Sequence, residues 1–227
     1  MIFRLLTPLL SLVLLAGVCA QTSFAKPKVP TTYGDAMRWY GEAAKAGDAE
    51  AMFYLAVGLE KRVLGEGGPE EALKWYRKSA NAGFSLAQLK LGQLHQFGDR
   101  VPMDLAEARR YYQLAAAQEM PEAQFNLALL QEQGVGGPVD GASATENYEA
   151  AARGGIASAL QNLSAIYAEA AAVEQDLVRS MSWALLAVEA GLEEAKPLLE
   201  ALDGILIAQE KSEARAWAEA WKKSPKN

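Results

Sequence analysis

The chain has 227 residues, 51% of them hydrophobic and 22% charged, with 22 Lys plus Arg against 28 Asp plus Glu and a net charge of -6. That balance excludes intrinsic disorder and argues against nucleic-acid binding, which needs a basic face to neutralise phosphate. One Cys and one His leave too little for a disulfide framework, a Cys- or His-ligated metal site or a His-based triad.

The first 25 residues read as a secretory signal peptide. Arg4 supplies the positive start, and Leu5 to Val18 is apolar except for Thr7, Pro8, Ser11 and Gly17. That stretch is too short for a membrane span, which needs about 20 residues. Small-residue cleavage sites follow at Ala20 and Ala25, and both remain open. The expected location is the periplasm or the exterior, with no membrane insertion once the leader is removed. A lipoprotein signal ending at Cys19 is the minor alternative, because Val18 stands where a small residue is wanted. Residues 26–34 read as a Pro-rich spacer.

From residue 35 the chain repeats. Trp39, Trp75, Tyr111, Asn147 and Trp183 stand 36 residues apart, and Tyr40, Tyr76, Tyr112 and Tyr148 follow them directly. Gly47, Gly83, Gly155 and Gly191 keep the period, with Glu119 as the exception. Alanines at 51, 87, 123, 159 and 195 and leucines at 55, 91, 127, 163 and 199 keep it too. A fixed period of this length is the mark of a stacked-repeat architecture.

Each period predicts two helices. The first runs from about Ala36 to Ala46, with Ala36, Trp39, Tyr40, Ala43 and Ala44 on one stripe. Gly47 ends it. The second starts near Asp48 and carries Ala51, Met52, Leu55 and Leu59 on one face. Asp104, Asp140 and Asp176 precede later first helices, where a carboxylate caps free N–H groups. In the fifth period Pro197 falls early in the second helix and Ala184 takes the Tyr position. The tail, 208–227, predicts an amphipathic helix whose Trp217 and Trp221 seal the last unit. The expected fold is an all-α right-handed superhelix of five helix-turn-helix repeats over 35–207, closed by this capping helix.

The pattern Ala72-Leu73-Lys74-Trp75-Tyr76, Ser79-Ala80, Gly83, Ala87, Leu91-Gly92 resembles the Sel1-like repeat family, which is related to tetratricopeptide repeats. The resemblance implies a non-catalytic scaffold, adaptor or regulator that binds protein partners, here in a bacterial envelope process. Some cysteine-rich members are described as penicillin-binding or weak β-lactamases. Those carry a disulfide in each repeat, which this chain lacks, so that activity does not carry over.

In related repeats the first helices line the concave binding face. Their non-core positions here are Arg38, Lys74, Arg110, Glu146 and Ser182, and Gly41, Arg77, Gln113, Glu149 and Leu185. The expected partner-binding residues are therefore Arg38, Lys74, Arg77 and Arg110, a basic ladder, followed by Glu146 and Glu149. Such a ladder would steer an acidic segment of a protein partner. A glycan- or peptidoglycan-associated accessory and, more remotely, a cell-wall or β-lactam hydrolase are the alternatives. No motif for a cofactor, a metal or a catalytic nucleophile is present.

Overall fold

The computed structural model describes residues 32–61, 68–170 and 172–225. The stretch read as a signal peptide and most of the stretch read as a spacer lie outside these residues. Among them the order is α1 (Tyr33–Lys45), α2 (Ala49–Glu60), α3 (Pro69–Asn81), α4 (Ser85–Phe97), α5 (Leu105–Ala116), α6 (Pro121–Glu132), α7 (Gly141–Arg153), α8 (Ala157–Glu169), α9 (Leu177–Glu189), a 3-10 turn (Glu193–Ala195), α10 (Lys196–Ile205) and α11 (Ala208–Lys223). The described chain is all-helical, five helix pairs and a terminal helix. None of its helices is long and apolar enough to cross a membrane.

The helix ends follow local chemistry. Thr32 Oγ1 accepts from the Asp35 N–H at 3.2 Å, so α1 starts at Tyr33, inside the span read as spacer. Asp104 caps α5 through the N–H groups of Ala106 and Glu107, Asp140 caps α7 through Ser143, and Asp176 caps α9 through Arg179. The same three aspartates donate their own N–H to the carbonyls of His95, Gln131 and Tyr167, which closes the loops before α5, α7 and α9. Pro197 begins α10 rather than breaking a helix. It sits in the first turn, where a missing N–H costs nothing.

The turn after each first helix uses a left-handed residue. Gly47, Gly83, Gly155 and Gly191 lie at φ 99, 93, 99 and 90°, and Glu119 occupies the same place at φ 58°. A side chain in that conformation costs roughly 1 kcal/mol. Glu119→Gly is therefore expected to raise stability by about 0.5–1 kcal/mol, read as a higher urea midpoint. A lower midpoint would show that the Glu119 side chain itself holds the turn.

The second helices α2, α4, α6 and α8 each pack more extensively on the first helix of the next unit than on the first helix of their own. The reason lies in residues sixteen apart. Tyr76, Tyr112 and Tyr148 are at most 1% exposed. Their hydroxyls donate to Glu60, Gln96 and Glu132 of the preceding unit at 2.6, 2.5 and 2.6 Å. Burial first, and the hydrogen bond to a carboxylate second, push the Tyr76 and Tyr148 hydroxyls well above the usual range. Burial also raises Glu60, but hydrogen bonds from Tyr76, Arg100 and Lys90 outweigh it and hold the carboxyl below the usual range.

Departures from the repeat occur in matched pairs. Asn147 replaces an aromatic, and its Nδ2 donates to Gln131 Oε1 at 2.9 Å. Tyr111 stacks on His95 with centroids 5.8 Å apart. Ala184 replaces Tyr, and sixteen residues earlier Ala168 replaces the acceptor. That last interface is tied instead by Ser164 and Ser180, each hydroxyl donating to the other's carbonyl at 2.9 and 2.8 Å. The far end is closed by α11. Trp217 and Trp221 meet the fully buried Trp183 edge-on, at 4.7 and 5.3 Å.

Candidate functional site

The exposed faces of the first helices carry the residues singled out from the sequence, but not as a free basic ladder. Arg38 pairs with Asp35 at 3.5 Å, Lys74 with Glu71 at 3.1 Å and Arg110 with Glu107 at 2.8 Å. The Arg110 pair is two-pronged, and its guanidinium also lies over the Tyr111 ring at 4.2 Å. Asp35, Glu71 and Glu107 are themselves 36 residues apart. They form an acidic column that the reading of the basic one overlooked, although a three-residue spacing on a helix places the two columns side by side. These pairs are exposed and screened, so each contributes tenths of a kcal/mol at most. Their consequence is local neutrality. Arg77 is exposed and makes no ion pair among the described residues.

Glu146 and Glu149 are brought together. Both line a recess of about 410 Å³ bounded by Glu119, Pro121, Gln124, Ala150, Arg153 and Gly154. The wall comes from the turn between α5 and α6, the start of α6 and the exposed side of α7. The close approach of Gly154 to Pro121 shapes it, since a Cβ there would lie 2.3 Å from the Pro121 ring. Three carboxylates face one arginine. That arginine is turned elsewhere: Arg153 lies over the Trp221 ring at 4.7 Å and donates to the Pro225 carbonyl. Burial pushes the Glu149 carboxyl above the usual range, against the pull of Arg179 and Arg153, and Glu146 adds to the rise. None of Glu119, Glu146 and Glu149 makes an ion pair among the described residues. The recess thus has unspent negative potential. It suits a cationic group of a ligand.

The recess lining holds no Ser, Thr, Cys, His or Lys among the described residues. His95 is at the end of α4 with Nδ1 buried and without a hydrogen-bond partner among the described residues, stacked on Tyr111 and remote in sequence from the recess residues. The other predicted positions are structural. Trp39, Tyr40, Trp75, Tyr76, Tyr111, Tyr112, Tyr148 and Trp183 lie in or against the hydrophobic clusters between helices. Arg109, not anticipated as buried, is 8% exposed and donates to the Pro138 carbonyl at 2.9 Å.

The Sel1 repeat family model matches residues 26–48, 49–84, 85–120, 121–156 and 157–192. No curated protein is matched. Among solved structures, a Sel1 repeat protein from Oxalobacter formigenes is 25% identical, with a TM-score of 0.70 over 85% of this chain and 80% of that one. A protective antigen of uropathogenic Escherichia coli strains, displaying the same repeat fold, is 24% identical with a TM-score of 0.49 over 84% of this chain. The chain spans about half, 49%, of that antigen's length. Helicobacter pylori cysteine rich protein B is 20% identical, with a TM-score of 0.46 over 57% of this chain and 93% of that one.

Proposed function

The chain belongs to the Sel1 repeat family, whose members are generally non-catalytic protein-interaction scaffolds, and from that premise we propose that it is a periplasmic or secreted scaffold or adaptor. It binds a protein partner along the exposed faces of its first helices. The recess of Glu119, Glu146 and Glu149 is the observation that carries this reading. It receives a basic side chain of the partner, while the neutral pairs at Arg38, Lys74 and Arg110 set register along the neighbouring units. Carboxylates whose neighbouring arginines, Arg153 and Arg179, are engaged over Trp221 and Trp217 gain from a cation supplied in trans, and the attraction weakens with salt. The leader-like pattern of residues 1–25, Arg4 followed by an apolar stretch from Leu5 to Val18, supports export.

In-cell cross-linking of the exported protein tests this reading, alongside mass analysis of its amino terminus. The expected terminus is Gln21 or Lys26. One dominant protein is expected to be captured by the wild type, in a salt-sensitive manner. Glu146→Lys with Glu149→Lys should lose it. Arg38, Lys74 and Arg110 changed together to Glu should weaken it less. Loss only in the second variant would move the site to the basic column. Capture of no protein, with binding of peptidoglycan fragments instead, would replace the adaptor by a glycan accessory.

A further inference from the structure

The two ends of the array differ. At the far end Trp183 is covered by α11. At the near end α1 presents Ala36, Trp39 and Tyr40, the same three residues at the same spacing as Ala72, Trp75 and Tyr76 of α3. On α3 this triplet is covered by α2, which places Ala56, Leu59 and Glu60 sixteen residues before each member. Ala72 and Tyr76 are 1% exposed there, and the Tyr76 hydroxyl donates to Glu60. On α1, Ala36 and Tyr40 stay partly exposed, and the Tyr40 hydroxyl has no hydrogen-bond partner among the described residues. Later interfaces use the same arrangement, with Gly92 and Gln96 of α4 against α5 and with Ala128 and Glu132 of α6 against α7.

We propose that this α1 face docks an amphipathic helix of a partner protein that carries a small residue, an apolar residue and a Glu or Gln at positions i, i+3 and i+4. The chemistry of the occupant is specified by the interfaces already built in the same molecule. The small residue admits close approach, the apolar one covers Trp39, and the carboxylate or amide takes the Tyr40 proton. Two other occupants fit less well. Sixteen residues before the triplet the chain has Ala20, Ser23 and Phe24, and Phe24 offers no acceptor. A symmetric pair of copies would set this face against itself, with no carboxylate or amide from the triplet to meet either Tyr40. The site is separate from the recess on α7, so it stands or falls independently of it.

The probe is a labelled synthetic peptide of residues 48–61 of this chain, which holds the whole of α2, added to the purified protein. Saturable binding by fluorescence anisotropy is expected. Ala36→Arg in the protein should weaken it at least tenfold while circular dichroism stays unchanged. Glu60→Ala in the peptide should cost about tenfold, the value of a charge-assisted hydrogen bond. Tyr40→Phe in the protein should cost the same and make the peptide change silent, as a coupled pair requires. No saturable binding, or binding that Ala36→Arg leaves intact, overturns the proposal. So does sedimentation showing a dimer that Ala36→Arg dissociates, which assigns the face to a second copy. Peptide binding only to a chain starting at Thr32 assigns it to the chain's own leading segment and overturns it too.

Discussion

Trp183→Ala is expected to lower stability by about 3–5 kcal/mol, the range for truncating a fully buried aromatic side chain. Trp183 is 0% exposed, and it is the shared floor for two other indoles. Its removal leaves Trp217 and Trp221 without the ring they meet edge-on, and it unseats α11. What remains of the α11 contact is Ala214 and Ala218, both buried, Arg179 and Arg153 over the Trp217 and Trp221 rings, and the Lys222–Glu189 and Lys211–Asp203 pairs at 2.9 and 3.2 Å, which are worth little. Repeat arrays are held by nearest-neighbour contacts, so the damage should stay local. Hydrogen exchange should show α9 and α11 losing protection while α1 to α4 keep theirs. A loss below about 1 kcal/mol with α11 still protected would mean that the alanine face, not the tryptophan cluster, holds the end shut.

The second large effect runs against the repeat's own pattern. Ala56 and Ala128 occupy the position held by Gly92 in the second unit. Alanine also favours a helix over glycine by about 1 kcal/mol. Gly92→Ala is nonetheless expected to destabilise by up to about 2 kcal/mol net, because overpacking a tight core costs about 1–3 kcal/mol. A Cβ on Gly92 would lie 2.5 Å from the Tyr112 ring. That ring is 0% exposed, and its hydroxyl is tied to Gln96, so it has no room to withdraw. Tyr112→Leu added to Gly92→Ala should cost less than the two changes summed, as neighbours in one contact do. Chemical denaturation of the four proteins in the cycle checks this. A higher midpoint for Gly92→Ala alone would show that the ring slides aside.

Most of the fold was legible before any coordinates. A 36-residue period with no insertion places every helix to within a few residues, because glycine turns and aspartate caps recur with it. The capping role of Asp104, Asp140 and Asp176 was readable for the same reason. Asn147 looked like a plain exception in its column. Its explanation, Gln131, stood sixteen residues earlier and could have been found by asking whether two departures share one spacing. The acidic column Asp35, Glu71 and Glu107 was equally visible, since each precedes a basic residue by one helical turn. The recess was not legible. It depends on how the Glu119 turn sits beside α7 and on Gly154 closing against Pro121, distances that no column expresses. The burial of Arg109 is of the same kind, fixed by a carbonyl 29 residues away.

The sixteen-residue pairing also bears on how such an array grows by duplication. The family matches at 49–84, 85–120, 121–156 and 157–192 each hold a second helix and the first helix that follows it. A segment copied in this phase inherits both halves of its lock: Glu60 travels with Tyr76, and Gln131 with Asn147. A segment copied from one first helix to the end of its own second helix would split them. It would set Gln131 before an unrelated side chain and leave Asn147 without its amide. Recombination breakpoints compatible with a folded product therefore fall at the turns within a helix pair rather than at the longer Gly-rich loops between pairs. The loops, which look like the natural seams of the chain, are the places where cutting separates residues that have to change together.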